Sequence, residues 1–285
     1  MSRYLSDGLV PEARVRKRVA VVGGGPAGIT AFTTLVDRGH DVTLYEKTGA
    51  LGGNVISAAA PPFKIDCRDY LKWLVRQAVD APAKVLLNTE ATKELLDREN
   101  FDAIIIAVGA RPVFPDVPGI DRPHVSWAAD AEMGKSPVGD KLVIVGAGSI
   151  GLEAAIDFRR NGKNVTVIER LPRDAAMAEL QKSAKLAARE FPGILEEEGI
   201  PVHYSVDLKE IFDDRIVCNV TADGGVAEFN ADTVLIAAGM EPLMNVAEPL
   251  RRCAPETEIR VVGDAYEVGS ICTAVNTAFQ AALHI

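Results

Sequence analysis

The stretch Val19-Ala-Val-Val-Gly23-Gly-Gly25-Pro-Ala-Gly28 decides the fold. An apolar run enters three glycines spaced GxGxxG, and helical patterning continues from Ala27 to Arg38. A continuous apolar run suits a strand buried on both faces, as in a parallel sheet. Gly39-His-Asp supplies the helix stop, and a second strand, Val42-Thr-Leu-Tyr, closes on Glu46. The series then returns as Leu142-Val-Ile-Val-Gly146-Ala-Gly148-Ser-Ile-Gly151, a helical pattern over Ile150–Arg160, Asn161-Gly-Lys, and Val165-Thr-Val-Ile-Glu169. In both copies the acid lies 18 positions after the third glycine. Each copy later reaches a strand ending Ala-x-Gly-x-x-Pro, at Ala107-Val-Gly109-Ala-Arg-Pro112 and Ala237-Ala-Gly239-Met-Glu-Pro242.

A lone GxGxxG is often a chance match. A strand before it, a helix after it and an acid at the next strand end turn it into a dinucleotide site. The first glycine permits the turn, the second lets a pyrophosphate approach the backbone, and the third lets helix and strand pack closely. Unpaired amides and the dipole at the helix start then hold the phosphates. Glu46 and Glu169 would accept hydrogen bonds from a ribose hydroxyl pair. Two matched copies predict an α/β chain of two Rossmann-like three-layer dinucleotide-binding domains, the second inserted in the first.

Outside the echo, the chain reads as a polar leader over 1–16, a first domain over 17–120 and 245–285, and an inserted domain over 121–244. Within these lie an amphipathic helix over Asp66–Val79, strands over Lys84–Asn88, Val202–Ser205, Arg215–Val220 and Val226–Phe229, and a hairpin turn at Asp223-Gly-Gly. Glu179–Glu198 reads as a helix broken near Pro192. Ile259-Arg-Val-Val-Gly263-Asp264 is a strand, followed by a helix from about Ser270.

Of 285 residues, 48% are hydrophobic and 25% charged, which excludes disorder over most of the length. The net charge of −9 argues against a general nucleic-acid binder. No apolar run is long enough to span a membrane, and the polar start shows no signal peptide. Cys67, Cys218, Cys253 and Cys272 are far apart, which excludes a local redox disulfide and a compact zinc or iron–sulfur motif. Free, buried thiols fit a cytoplasmic location. His40, His124, His203 and His284 are scattered and read as structural or exposed, and Trp73 and Trp127 read as core.

Only the first copy is followed by Leu51-Gly-Gly53-Asn54, and the chain closes with Gly263-Asp264. These features resemble the two-dinucleotide-binding-domain flavoproteins of the pyridine nucleotide–disulfide oxidoreductase superfamily, over about residues 17–285. His40-Asp-Val-Thr-Leu-Tyr-Glu-Lys47, Leu51-Gly-Gly-Asn54 and Ala58-Ala-Ala-Pro-Pro-Phe-Lys64 resemble one branch: the C-terminal module of 2,4-dienoyl-CoA reductase, 2-enoate reductase and trimethylamine dehydrogenase.

The resemblance implies an FAD site of Gly23, Gly25 and Gly28 at the pyrophosphate and Glu46 and Lys47 at the ribose. Gly53 and Asn54 would lie near the flavin, with Lys64 a charge partner for phosphate or flavin. Ala91 would offer its backbone to adenine, Gly109 would close the pocket, and Asp264 would meet the ribityl hydroxyls. Thr273, Ala274 and Val275 would place amides near the flavin O2. It implies a pyridine-nucleotide site of Gly146, Gly148, Gly151, Glu153 and Glu169. A 2′-phosphate about 4 Å from Glu169 would cost roughly 4 kcal/mol at an effective dielectric near 20, which favours NADH over NADPH unless Arg170 and Arg173 pair with the phosphate. No catalytic acid–base residue and no metal are called for, since the cofactors carry the chemistry. The implied activity passes electrons from NADH through FAD to an old-yellow-enzyme-like FMN/4Fe–4S barrel subunit or domain that reduces an activated C=C bond. Two alternatives stay open: an ADP- or FAD-binding module without turnover, as in trimethylamine dehydrogenase, and a stand-alone NADH oxidase or flavin reductase.

Overall fold

The computed structural model describes residues 10–253 and 256–285. Residues 1–9 of the expected leader lie outside the described residues. In chain order the elements are β1 (Arg18–Val22), α1 (Pro26–Asp37), β2 (Asp41–Tyr45), α2 (Val55–Ala58), α3 (Ile65–Asp80), β3 (Lys84–Leu86), α4 (Lys93–Glu99), β4 (Ala103–Ile106) and β5 (Ala110–Pro112). Next come β6 (Val125–Trp127), α5 (Ala128–Glu132), β7 (Lys141–Val145), α6 (Ser149–Arg160), β8 (Asn164–Glu169), α7 (Arg173–Ser183), α8 (Ala187–Glu197) and β9 (Val202–Tyr204). They are followed by β10 (Val206–Ile211), β11 (Arg215–Val220), β12 (Val226–Asn230), β13 (Thr233–Ile236) and β14 (Met240–Pro242). The chain ends with α9 (Met244–Leu250), β15 (Glu258–Val261), a 3-10 turn at Gly263–Ala265 and α10 (Ile271–Leu283).

The chain divides into two compact units. Among the described residues the first holds 10–56, 66–111, 241–253 and 256–285, and the second holds 57–65 and 112–240. The first unit is built on a parallel sheet ordered β15-β4-β1-β2-β3. Side chains of β1 alternate between faces. Val19 and Val21 join Ile29, Phe32 and Leu35 of α1 and Ala278 of α10, while Ala20 and Val22 join Leu96 of α4 and Leu250 of α9. Both faces are thus covered by helices, which is why β1 and β4 carry no polar side chain beyond Arg18.

The second unit repeats the sheet in the order β6-β13-β7-β8-β9. One face packs on α5, α6 and α8 through Leu142, Ile144, Leu152 and Phe191. The other face, through Val143, Val145 and Ile168, packs on the antiparallel sheet β10-β11-β12. In both sheets the strand before the glycine motif has its neighbours on opposite sides, β2 and β4 for β1, and β8 and β13 for β7. That is a topological switch point, where ligands of open α/β sheets bind beyond the carboxyl ends of the strands.

Several expectations need correction. The helical stretch near Pro192 breaks earlier, at Ala184 (φ −145°, ψ 67°), and α8 runs through the proline. Burial of Ala188, Phe191 and Leu195 on one face holds α8 together despite the hydrogen bond that Pro192 cannot donate. Trp73 is not core: it is 55% exposed on α3 and lies against Tyr70, with ring centroids 5.9 Å apart. Of the cysteines only Cys218 and Cys253 are buried, whereas Cys67 is half-buried and Cys272 is exposed. Helical periodicity places Cys272 on the solvent side of α10, away from the buried stripe Ala274, Ala278 and Ala282. Among the described residues no helix is long and apolar enough to cross a membrane.

Phe32 is fully buried between α1 and the first sheet. Phe32→Ala is expected to lower stability by about 3–5 kcal/mol, read from the urea midpoint of the transition that it shifts.

Candidate functional site

The two glycine turns have the same construction. Gly23 and Gly146 take φ of 107° and 112°, conformations that L side chains rarely adopt. A Cβ on Gly28 would sit 1.8 Å from the Gly23 carbonyl oxygen, and one on Gly151 would sit 2.0 Å from that of Gly146. The first and third glycines are therefore demanded by the packing of turn against helix. The middle glycines are not. Gly25 and Gly148 have φ of −82° and −74°, open to any residue. A Cβ on Gly25 would come no nearer than 3.8 Å to its neighbours, and one on Gly148 would meet nothing within 4 Å.

Open space therefore lies in front of the middle glycine of each motif. Gly25 and Gly148 are also the N-caps of α1 and α6, and neither helix has a side-chain cap or an acidic residue in its first turn. The earliest helical amides bonded back to the turns are those of Ile29 and Leu152, which donate to Gly25 and Gly148. The amides before them face forward, where the helix dipole favours an anion. Bare amides, a bare Cβ position and no competing carboxylate fit a diphosphate in both units.

The two acids sit where the spacing predicts, and both are buried. Each also fastens its own loop. Glu46 Oε2 accepts the Gly24 amide at 2.7 Å, and Oε1 accepts the Thr48 amide at 2.8 Å. Glu169 Oε2 accepts the Ala147 amide and Oε1 the Leu171 amide, both at 2.8 Å. A carboxylate has about four lone-pair sites, so each acid retains acceptor capacity for ribose hydroxyls. Thr48 adds its hydroxyl to Glu46 Oε1 at 2.7 Å, a contact that sequence reasoning missed. Leu171 has no hydroxyl for the equivalent contact.

The remaining expected residues fall as follows. Gly53 approaches Gly25, its Cβ position lying 3.0 Å from the Gly25 Cα, and the Gly52 amide donates to Gly24 at 2.8 Å. Asn54 Nδ2 donates to the Ala110 carbonyl at 3.3 Å, and Lys47 is exposed. The Gly109 carbonyl accepts the Leu243 amide. Ala91 is buried beside Tyr45 and Leu96 in the loop after β3. Asp264 accepts the Gly269 amide at 3.1 Å, and burial raises its pKa. On α10 the Thr273 amide donates to Ser270 Oγ and the Ala274 amide to the Ser270 carbonyl, while Val275 lies inside the helix. Of the expected amides, Thr273 and Ala274 are thus already engaged, because Ser270 caps the helix. Uncommitted first-turn amides shift to Ile271 and Cys272.

Glu153 stands in the second turn of α6, beyond the reach of a simple first-turn dipole argument. Its carboxylate is instead bonded by the Lys64 ammonium from the 57–65 stretch of the same unit. Nearby, Glu132 at the end of α5 is a residue that sequence reasoning missed. Burial, followed by repulsion from Asp157 and Glu153, pushes its carboxyl up to about 8 against the pull of Lys64. Its only sequence signal is a carboxylate on an otherwise apolar helix face between Ala128, Ala129 and Ala131, all buried.

Residues 17–261 match the family described as pyridine nucleotide-disulphide oxidoreductase. The chain belongs to this family. With its FAD and NAD(H) sites it is an oxidoreductase module, as the sequence resemblance implies. It is 32% identical over 272 residues to cinnamate reductase of Clostridium sporogenes, covering 94% of this chain and 39% of that protein. To an NADH oxidase of Thermoanaerobacter brockii it is 32% identical over 289 residues, covering 97% of this chain and 42% of the oxidase. A solved 2-naphthoyl-CoA reductase complex superposes with a TM-score of 0.85 at 28% identity, covering 97% of this chain and 41% of that one. The chain thus spans about two fifths of the length of these relatives.

The glycine geometry separates folding from binding. Gly28→Ala and Gly151→Ala should each destabilise the fold by more than about 2 kcal/mol, because the added methyl meets main chain. Gly25→Ala and Gly148→Ala should leave the melting temperature nearly unchanged, while nucleotide affinity, read by calorimetry, falls at least about tenfold. For Glu132, the unfolded chain gives up its proton near pH 4.5, whereas the folded chain keeps it to about pH 8. Stability is therefore lost as pH rises through that window, by up to about 1.4 kcal/mol per unit. Glu132→Gln should flatten that slope in chemical denaturation at a series of pH values.

Proposed function

We propose that this module takes a hydride from NADH onto FAD and passes the electrons singly to an FMN/4Fe–4S barrel domain or subunit that reduces an activated C=C bond. The observation that carries the reading is the paired open cradle: two glycine turns, each with a bare middle position facing an uncapped helix start. The first unit would hold FAD and the inserted unit NADH. When bound, the cofactors supply the redox chemistry, the nicotinamide as hydride donor and the flavin as the group that accepts a pair of electrons and releases them one by one.

The protein's part is positioning and charge. The starts of α1 and α6 hold the two diphosphates. Glu46 and Glu169, already fixed by their loop amides, present their remaining lone pairs to ribose hydroxyls. Asp264, held by the Gly269 amide, offers a further acceptor on the flavin side. The likeness to reductases of cinnamate and of 2-naphthoyl-CoA supports an unsaturated carboxylate or its thioester as the final electron acceptor. This chain covers about two fifths of those proteins, which leaves length for such a partner domain.

The inserted unit should prefer NADH, because Glu169 would lie against a 2′-phosphate; Arg170 and Arg173, both exposed, are the counterweight. Anaerobic addition of NADH to the FAD-loaded chain should bleach the oxidised flavin band, with NADPH at least about tenfold slower at equal concentration. A yellow protein that NADH fails to bleach would overturn the proposal and favour a module that binds without turnover. Rapid recolouring in air without an added one-electron acceptor would instead favour the oxidase reading, in keeping with the likeness to the Thermoanaerobacter brockii enzyme.

A further inference from the structure

Glu153 and Asp157 are four residues apart on α6 and so share a face. Helix α5 packs on α6 and carries Glu132 toward them. The Lys64 ammonium bonds Glu153 from the side of the 57–65 stretch. Glu153 and Glu132 therefore both act on one ammonium, and Asp157 adds a further negative charge beside Glu132. Their compensation is unequal. Glu153 has the ammonium, and Asp157, although burial raises its carboxyl, has the Arg160 guanidinium and the Asn161 side chain opposing that rise. Glu132 Oε1 is sealed from solvent and has no hydrogen-bond partner among the described residues. The charged groups acting on it from the elements around α5 are Asp157 and Glu153 of α6 and Lys64, while β6 and β13 carry no titratable side chain. With all three acids ionised, this partly buried cluster would hold three negative charges against the Lys64 ammonium and the Arg160 guanidinium. A proton on the least compensated carboxyl relieves this.

We propose that Glu132 is a positioning residue: its neutral form leaves the Lys64 ammonium to Glu153, and its ionised form competes for that ammonium and repels Glu153. Proton occupancy of Glu132 then sets how firmly Glu153 is held in the second turn of α6. The inference rests on reading Gly146–Gly151 as the pyridine-nucleotide cradle, since Glu153 lies two residues past Gly151. When Glu132 ionises, its proton passes to bulk water and no electrons move. Lys64 is then shared between two carboxylates, and the nucleotide loses a fixed neighbour in the second turn of α6.

The test uses three readouts on the full chain from about pH 6 to about pH 9. Infrared spectroscopy of the nucleotide-free protein should show the carbonyl stretch of a protonated carboxyl at neutral pH, lost with a midpoint near pH 8 and absent in Glu132→Gln. The Lys64 Nζ resonance should move with the same midpoint in the parent protein and stay still in Glu132→Gln and Glu132→Leu. In the FAD-loaded chain, NADH affinity should fall roughly fivefold or more across that midpoint, lose its pH dependence in Glu132→Gln, and regain a pH dependence in Glu132→Asp. A carboxyl band or Lys64 transition that persists in Glu132→Gln would overturn the proposal. So would a titrating Glu132 that leaves the Lys64 resonance or the NADH affinity unmoved. Failure of NADH to bind at any pH would overturn the nucleotide reading instead, and the Lys64 resonance would still decide whether Glu132 controls the ion pair.

Discussion

The contact on which the rest depends is the approach of a helix backbone to the carbonyl of the turn before it. At Gly28 and Gly151 there is no room for even one methyl group. That approach brings the starts of α1 and α6 directly over the carboxyl ends of β1 and β7. It also aims their first amides at the crevice between strands that diverge on either side. Were the helices to stand off by the width of a side chain, the amides would point elsewhere and the dipoles would lose their focus. The same closeness lets a buried carboxylate at the end of the next strand reach the loop amides, so Glu46 and Glu169 act as clasps and keep lone pairs for the proposed ribose contacts.

Around this shared kernel the two units solve burial differently. The first sheet is covered by helices on both faces, and the second by helices on one face and an antiparallel sheet on the other. The fifth strand also differs in origin. In the first unit it is β15, from the end of the chain, and in the second it is β6, from the start of the insertion. Strand order is thus conserved between the units while chain order is not. A parallel sheet requires only that each strand be buried on both faces, whatever its place in the sequence. The kernel is common to both units, and the surroundings carry what distinguishes one unit from the other, including the Lys64, Glu153, Asp157 and Glu132 group of the second.

The sequence by itself determined the duplicated strand–turn–helix–strand kernel, because glycine spacing, apolar runs and a matched acid are local consequences of local backbone needs. It also marked the reach of the hairpin at Asp223, whose side chain accepts the Gly225 amide. The amides free at α10 are set by a local cap that the sequence carries, since Ser270 engages those of Thr273 and Ala274. Tertiary structure alone decided that Trp73 lies outside and that the half-buried Glu132 has one carboxyl oxygen sealed from solvent. Exposure and proton affinity depend on what other segments bring alongside, Lys64 from one part of the chain and α6 from another, and no periodicity within a single element records those neighbours.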